Sequence, residues 1–436
     1  MNLTKPLFCL CPYLGLFILP LLTVHCATRA ASNRPQPDVN VSHVCESSDF
    51  RDCTKQCNQG NATSCGKLGV LYAQGEGVAQ DDARALALFK KACAGGDVQV
   101  CVLLGLMSEN GKGVVQDNVR AVAFYKQGCA GGDARGCSGL GAMYENGKGV
   151  VQDNVRAMEL YKLACDRGGM QGCALLGLMY ENGKGGEQDS ARALALFKQA
   201  CEGGDALGCR WLGVAYRTGK GVAQDGVRAV ALFKQACDNG DEQVCTSLGT
   251  MYEIGKEVAQ DDARAVALYK QACDGGYALG CGKLGFMYES GRGVAQDSAR
   301  AALFYRQACD RGGMHGCVVL GSMYEGGKGV ERDDVRAVAL YKQACEGGSV
   351  WGCSNLGRMY QSGKGGVEQD DIRAAAYLKQ ACDGGGAQGC AWLGAMYEKG
   401  KGVAQDDARA AALYKKGCAG GEAWGCDQLR RLGVSP

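Results

Sequence analysis

The sequence contains few of the residues on which metalloproteins and many enzymes depend. Its 436 residues include only three histidines and six prolines, and no two cysteines are spaced C-x-x-C. Zinc sites, c-type haem attachment and dithiol redox centres use that spacing or several histidines, so we expect no metal and no cofactor. The formal net charge is only +2, which gives no electrostatic reason to expect nucleic acid as a partner.

Long apolar runs are confined to the N-terminus. Lys5 precedes the segment LFCLCPYLGLFILPLL, and small residues follow in TVHCATRAAS. This order is typical of a secretory signal peptide, which we predict over residues 1–30. The alternatives are a membrane anchor, for which the run is short and interrupted by proline, and a lipid on Cys26, where His25 replaces the small residue required. We therefore expect a secreted or periplasmic protein with no membrane span after signal cleavage.

Cysteine, in contrast, is abundant. The sequence has 27 cysteines, and cleavage after Ala30 would remove Cys9, Cys11 and Cys26, leaving the even number 24. An exported protein meets an oxidising environment, in which disulfides persist. The remaining cysteines form pairs eight residues apart: Cys45 and Cys53, Cys57 and Cys65, Cys93 and Cys101, Cys129 and Cys137, Cys165 and Cys173, Cys201 and Cys209, Cys237 and Cys245, Cys273 and Cys281, Cys309 and Cys317, Cys345 and Cys353, Cys382 and Cys390, and Cys418 and Cys426.

From Cys57 onward the pairs recur every 36 residues, with one step of 37 where an extra residue is inserted near Gly366. The repeating unit reads C-x-x-L-G-x-M-Y-E-x-G-K-G-V-x-Q-D-x-x-R-A-x-A-L-Y-K-Q-A-C-x-G-G. A fixed period of this length is the sequence signature of a repeat protein. We predict a signal peptide at 1–30, a linker and N-terminal cap with a half-repeat at 31–64, ten repeats at 65–425, and a C-terminal capping half-repeat at 426–436.

Each unit contains two helix patterns. The first is an eleven-residue helix that starts at the second cysteine of a pair, with Leu140, Gly141 and Tyr144 on one face. The glycine recurs in all ten copies, so we expect a neighbouring helix to pack directly against the backbone there. The second helix begins at Asp153 or Asn154, since either side chain can cap it. Two amphipathic helices per unit, stacked unit on unit, predict an all-α fold, an αα-solenoid.

The motif LGxMYExGKGVxQDxxRAxxLYKQAC resembles the Sel1-like repeat, a relative of the tetratricopeptide repeat. The cysteine pair added to each unit resembles the Helicobacter cysteine-rich protein family, and the likeness extends over about residues 57 to 433. It implies a right-handed superhelix of about ten disulfide-stapled 36-residue repeats. One departure is an arginine in every copy, such as Arg84, Arg120 and Arg156, where the general pattern more often has lysine.

The segment KQACDGGYALGCGKLG shows what the cysteines do. Cys273 lies in the last turn of one predicted helix, and Cys281 lies in the first turn of the next. Two antiparallel helices joined by so short a turn bring such residues within disulfide range. The resemblance agrees, because the paired helices of the cysteine-rich family are disulfide-linked. We expect every pair to form a bridge.

The resemblance also implies an alternative function. Some Helicobacter cysteine-rich proteins are described as binding penicillins and hydrolysing β-lactams slowly. A serine β-lactamase uses S-x-x-K, S-D-N and K-T-G elements. The sequence has one S-x-x-K, at Ser64–Lys67, and neither of the other two elements. No catalytic residue is therefore predicted.

Positions that differ between copies indicate a binding surface. Those two, five and nine residues after the second cysteine lie on one face of the first helix, away from the core. In solenoids of this kind the first helices commonly line the concave surface, and a mixed row of this composition suits a protein, peptide or peptidoglycan ligand. The alternative is that nothing constrains these positions. The candidate ligand-binding residues are Lys67, Leu103, Leu106, Trp211, Lys283, Phe286, Asn355, Arg358 and Trp392.

A glutamate follows the tyrosine of the first helix in most copies, for example Glu109, Glu145 and Glu181. We expect these glutamates to form a solvated acidic row, paired with lysines of the next loop. The aromatic residues of the second helix, such as Tyr125 and Phe197, are expected in the core.

Overall fold

Helices form all the regular secondary structure that the computed structural model describes, over residues 44–46 and 49–433. The chain divides into Met1–Val44, of which only Val44 is described, and Cys45–Pro436, which contains the 22 helices. The predicted all-α fold is confirmed. The helices are α1 Phe50–Asn58, α2 Ala62–Gln74, α3 Asp82–Ala94, α4 Val98–Asn110, α5 Asn118–Ala130, α6 Ala134–Asn146, α7 Asn154–Asp166, α8 Met170–Asn182, α9 Ser190–Glu202, α10 Ala206–Thr218, α11 Gly226–Asp238, α12 Glu242–Ile254, α13 Asp262–Asp274, α14 Ala278–Ser290, α15 Ser298–Asp310, α16 Met314–Gly326, α17 Asp334–Glu346, α18 Val350–Ser362, α19 Asp371–Asp383, α20 Ala387–Lys399, α21 Asp407–Ala419 and α22 Ala423–Arg431.

Each helix packs on the helix before it and the helix after it along the chain. An even-numbered helix and the odd-numbered helix that follows it form one repeat, from α2–α3 to α20–α21. Most even-numbered helices also pack on the even-numbered helix of the next repeat, as α4 does on α6, whereas the odd-numbered helices do not pack on one another in this way. This arrangement is an αα-solenoid.

The helix ends follow from their capping residues. Asp153 caps α7, because its side chain accepts a hydrogen bond from the backbone N–H of Arg156 at 2.9 Å. Helix α6 spans thirteen residues and begins three residues before Cys137, so the predicted eleven-residue length was too short. The helix ends because Gly147 adopts φ 65°, a left-handed conformation that glycine reaches without a steric penalty.

The recurrent glycine of the even-numbered helices lies against an aromatic ring. A Cβ added to Gly141 would lie 2.7 Å from Cε1 of Tyr161, which belongs to the following helix. The same contact joins Gly177 to Phe197. Tyr161 is 1% exposed, so this close approach forms the centre of each repeat's core. The expected packing against the glycine backbone is confirmed.

None of the helices in the described residues is both long enough and apolar enough to cross a membrane. The predicted signal peptide of residues 1–30, with Cys9, Cys11 and Cys26, lies outside the described residues.

Candidate functional site

The structure places the predicted ligand-binding residues along the even-numbered helices, and most of them are half-buried. Positions two residues after the cysteine are mostly half-buried, and positions nine residues after it are exposed. Leu106 and Phe286, five residues after their cysteines, are 42% and 41% exposed. Leu103 is half-buried and packs against the core cluster that contains Phe89.

The two predicted tryptophans are partly used by the core. The ring of Trp211 stacks on Phe197, with 6.3 Å between ring centroids and an interplanar angle of 24°. Trp392 is half-buried and packs against the cluster that contains Leu378 and Leu393. Each indole therefore offers only part of its surface to a ligand.

Three predicted cationic residues already have partners within the protein. The Lys67 ammonium donates to the backbone oxygen of Cys45 at 2.7 Å. Lys283 forms an ion pair with Glu253 at 3.3 Å. Arg358 forms a two-point ion pair with a glutamate of the preceding repeat. Asn355 is half-buried.

The same helical face extends one turn beyond the predicted positions, toward the N-terminus of each even-numbered helix. Residues two positions before the cysteine lie four positions before the first predicted site, and an i, i+4 spacing puts both on one side of a helix. Leu279 and Trp351 at this position are each 54% exposed, and Trp424 is 38% exposed. His315 and Trp351, from adjacent repeats, contact each other edge to face at 5.9 Å. The helical spacing alone could have identified these residues.

We call these four sets of positions the even-helix face: two residues before and two, five and nine residues after the second cysteine of each pair. Its exposed large apolar side chains are Leu106, Ile254, Leu279, Phe286, Trp351 and Trp424.

The glutamates beside this face are not a solvated row, as the sequence had suggested. In six repeats the hydroxyl of a buried or nearly buried tyrosine donates to the glutamate at 2.5–3.0 Å. These glutamate side chains are only 8–26% exposed, because the tyrosine and a cation of the next repeat cover them. We call them the ladder pairs: Glu109–Tyr125, Glu145–Tyr161, Glu253–Tyr269, Glu289–Tyr305, Glu325–Tyr341 and Glu398–Tyr414.

The expected pairing with lysines of the next loop is confirmed for Glu109, Glu145 and Glu289, whereas arginines contact the other three glutamates of the ladder pairs. Lys148 lies 3.2 Å from Glu109, and Lys184 lies 2.9 Å from Glu145. Each ladder pair thus joins both helices of one repeat to the following repeat. The hydrogen bond from Arg358 holds the pKa of Glu325 below its usual value, and burial raises the pKa of Tyr125.

The tyrosine is present only where its hydroxyl has an acceptor. In the other four repeats the second helix carries Phe89, Phe197, Phe233 or Leu378 at this position. In three of them the glutamate is also replaced, by Ala73, Arg217 or Gln361. A buried hydroxyl without a partner is destabilising, which explains the joint change.

The arginine that departs from the general repeat pattern lies over a tyrosine ring. The Arg156 guanidinium lies 5.3 Å from the ring centroid of Tyr144, and eight other repeats have the same contact. A planar guanidinium stacks on an aromatic face better than an ammonium does. In the one remaining repeat, α4–α5, Ser108 replaces the tyrosine, although Arg120 is present.

All twelve cysteine pairs form disulfide bonds, each with 4.4–4.9 Å between the two Cα atoms. The bonded partners are Cys45 with Cys53, Cys57 with Cys65, Cys93 with Cys101, Cys129 with Cys137, Cys165 with Cys173, Cys201 with Cys209, Cys237 with Cys245, Cys273 with Cys281, Cys309 with Cys317, Cys345 with Cys353, Cys382 with Cys390, and Cys418 with Cys426.

Each disulfide of a repeat links the end of an odd-numbered helix to the start of the next even-numbered helix. Cys165, for example, lies at the end of α7, and Cys173 lies in the first turn of α8. In several repeats a side chain of the next odd-numbered helix or its C-cap donates to the carbonyl of the first cysteine, as Arg167 does to Cys129 at 2.6 Å. The junctions between repeats are therefore fixed covalently and by hydrogen bonds.

The single S-x-x-K element lies in α2, the first helix of the first repeat. Ser64 is fully buried, and its hydroxyl oxygen accepts the backbone N–H of Cys45 at 3.2 Å. Since Lys67 donates to the carbonyl of the same cysteine, both side chains hold the N-terminal segment in place. In this arrangement the Ser64 hydroxyl is not presented to a substrate. Among residues 44–46 and 49–433, no group of three or more histidine, cysteine or acidic residues is placed to hold a metal ion.

Comparison with solved structures agrees with this architecture. A protective antigen present in uropathogenic Escherichia coli, which displays an SLR fold, is 27% identical and covers 89% of this chain and 84% of its own, with a TM-score of 0.56. A Sel1 repeat protein from Oxalobacter formigenes is 23% identical and covers 80% and 91%, with a TM-score of 0.53. Cysteine rich protein B of Helicobacter pylori is 29% identical over 30% of this chain and 96% of its own, with a TM-score of 0.26.

No curated protein gives a significant match to this chain. The Sel1 repeat family model, however, matches ten times: at residues 62–97, 98–133, 134–169, 171–205, 206–241, 243–277, 278–313, 315–349, 352–386 and 387–422. These matches cover most of the chain and coincide with the two-helix units of the structure. The chain belongs to the Sel1 repeat family.

Proposed function

We propose that this protein is an exported scaffold that binds partner proteins or peptides on the even-helix face. One observation carries the proposal: the exposed side chains of this face include large apolar residues that differ from repeat to repeat, on a framework that hardly varies. Phe286 and Trp351 are two of these residues. Exposed aromatic side chains on a rigid support are typical anchors of protein interfaces.

The fold supports the same assignment. Sel1 repeat proteins mediate protein interactions. The even-numbered helices of successive repeats pack on one another more closely than the odd-numbered helices do. Helices on the inner side of a curved stack lie closer together, so this difference favours the even-helix face as the concave surface.

Export is supported by the disulfides. Twelve bridges persist in an oxidising compartment and would be reduced in most cytosols. Together with the signal peptide predicted at residues 1–30, they favour a periplasmic or secreted location.

The proposal can be tested by comparing two double variants in partner capture. Phe286→Ser with Trp351→Ser removes two exposed side chains of the even-helix face. Val227→Ser with Val335→Ser removes two that are 81% and 61% exposed on odd-numbered helices. We expect the first variant to lose cross-linked partners that the wild-type protein and the second variant retain. Equal capture by both variants would contradict the proposal.

The same variants distinguish a protein ligand from a cell-wall ligand. If the wild-type protein is retained on purified peptidoglycan and the variant Phe286→Ser with Trp351→Ser is not, the ligand is a cell-wall fragment and not a protein. No side-chain arrangement in the described residues favours β-lactam hydrolysis as a second function.

A further inference from the structure

The repeat formed by α10 and α11 departs from the ladder pairs in its charge. Six repeats have a glutamate and a tyrosine at these two positions, and this repeat has Arg217 and Phe233. The Arg217 side chain is exposed, and its guanidinium lies 5.4 Å from the Phe233 ring centroid. A cation therefore occupies the position where the other repeats place an anion.

The cation that would pair with the missing glutamate is still present. Lysines 39 residues after the glutamate form the ion pairs of other repeats, as Lys148 does with Glu109. Lys256 lies 39 residues after Arg217, so the repeat register directs it to the same place. Within the described part of the chain, neither Arg217 nor Lys256 forms an ion pair. Glu257 follows Lys256 on the exposed loop, where it adopts φ 65°.

Two cations held close together repel each other, and an anion between them offsets this repulsion. In seven of the other repeats the anion is the protein's own glutamate. In this repeat that glutamate is absent, and an acceptor from outside the chain can take its place. The carboxylate of a partner matches the group that this position has lost.

An apolar groove lies at the preceding junction between repeats, where α8 and α9 meet α10. Trp211, Phe197 and Val214 line it, and the polar residues Glu181 and Lys220 form an ion pair at its edge. Because Phe197 has no hydroxyl, the second carboxylate oxygen of Glu181 accepts no hydrogen bond from the residues described. The groove thus combines an aromatic wall with an acceptor that a peptide N–H can reach.

Resting on the proposed function, we infer that an acidic peptide segment of the partner binds between α8 and α12. An apolar side chain of the segment lies against Trp211, and a peptide N–H donates to Glu181. A carboxylate of the segment lies between Arg217 and Lys256, replacing the glutamate that seven other repeats supply internally. Charge complementarity selects an acidic segment over a basic one.

The test uses the oxidised full-length protein and three short fluorescein-labelled peptides, which alternate leucine with glutamate, leucine with lysine, and serine with glutamate. The double variant Arg217→Glu with Phe233→Tyr restores a ladder pair. We expect the leucine–glutamate peptide to bind best and the double variant to weaken its binding by about tenfold or more, since a charge-assisted contact becomes a repulsion. The variant should unfold at the same or a higher temperature, so lost binding cannot reflect misfolding.

Unchanged affinity in Arg217→Glu with Phe233→Tyr would overturn the inference, as would equal binding of the leucine–lysine peptide or no binding of the leucine–glutamate peptide to the wild-type protein. A failure of this inference can be distinguished from a failure of the proposed function. If Phe286→Ser with Trp351→Ser abolishes partner capture while the restored ladder pair changes nothing, the even-helix face is the binding surface and the acidic-peptide site is wrong.

Discussion

Tyr161 donates its hydroxyl hydrogen to Glu145 at 2.9 Å, from the helix that follows the one on which Glu145 lies. The other carboxylate oxygen of Glu145 accepts from Lys184, which belongs to the next repeat. One glutamate therefore connects three segments of the solenoid. This relationship explains why a buried tyrosine, an acidic residue and a loop cation recur together.

Removing or adding a tyrosine hydroxyl should change stability in opposite directions. Tyr161→Phe deletes a hydrogen bond to Glu145 and is expected to lower the free energy of unfolding by about 1–2 kcal/mol. Phe197→Tyr places a hydroxyl opposite Glu181 and is expected to raise it by about 1 kcal/mol. Urea unfolding of the two variants and the wild-type protein measures both effects. A Phe197→Tyr variant that is less stable than wild type would show that a tyrosine at position 197 does not form a ladder pair with Glu181.

The glycine of the even-numbered helices should not tolerate a methyl group. In Gly141→Ala the new Cβ would lie 2.7 Å from the Tyr161 ring, so the helices must separate at a cost of about 1–3 kcal/mol. Gly226→Ala is the matched control, because nothing lies within 4 Å of its added Cβ and alanine favours a helix. Thermal unfolding should show a lower midpoint for the first variant and an unchanged or higher one for the second. Equal midpoints would contradict the packing role of the glycine.

The disulfides should leave no free thiol between Cys45 and Cys426. We expect intact mass spectrometry without reductant to show the protein lighter by two hydrogens per bridge, and thiol labelling of the mature chain to fail. Replacing Cys273 and Cys281 by serine opens one short loop and should cost about 2.5 kcal/mol in the chain-entropy model. Stoichiometric labelling of the wild-type protein would contradict this account.

Acid should weaken the contact between Glu325 and Arg358. The hydrogen bond from Arg358 lowers the pKa of Glu325 from its usual value near 4.5. A carboxyl group with a lowered folded-state pKa contributes stability that is complete above the unfolded-state pKa and is lost as the pH falls through the folded-state pKa. We therefore expect Glu325→Gln to be less stable than wild type at neutral pH, with the difference shrinking below about pH 4.5. Melting temperatures across this range measure the effect, and a difference independent of pH would contradict it.

The fold could be predicted from the sequence because its determinants repeat. Ten copies of one pattern identified both helices, the glycine contact and the paired cysteines. The exact helix start could not be identified, because the cysteine that marks each repeat lies in the first turn. Asp133, which caps α6 four residues earlier, is the residue that fixes the boundary.

The candidate site was predicted less completely, for a physical reason. Sequence periodicity gives the direction of a side chain from its helix, and it does not give the partner that reaches it from another repeat. Glu109 was expected in solvent, whereas Tyr125 and Lys148 cover it from two other segments. Similarly, Lys283 is on the predicted face, but an ion pair with Glu253 occupies its ammonium group.

The most direct measurement of the central claim is site-specific photo-cross-linking in cells that export the protein. A photoreactive side chain is placed at Leu106, Phe286 or Trp351 on the even-helix face, and at Val227 or Val335 on odd-numbered helices. If the even-helix face binds partners, the first three positions give discrete cross-linked species and the last two do not. Equal cross-linking at both sets, or cross-links only at Val227 and Val335, would contradict the assignment of the binding surface.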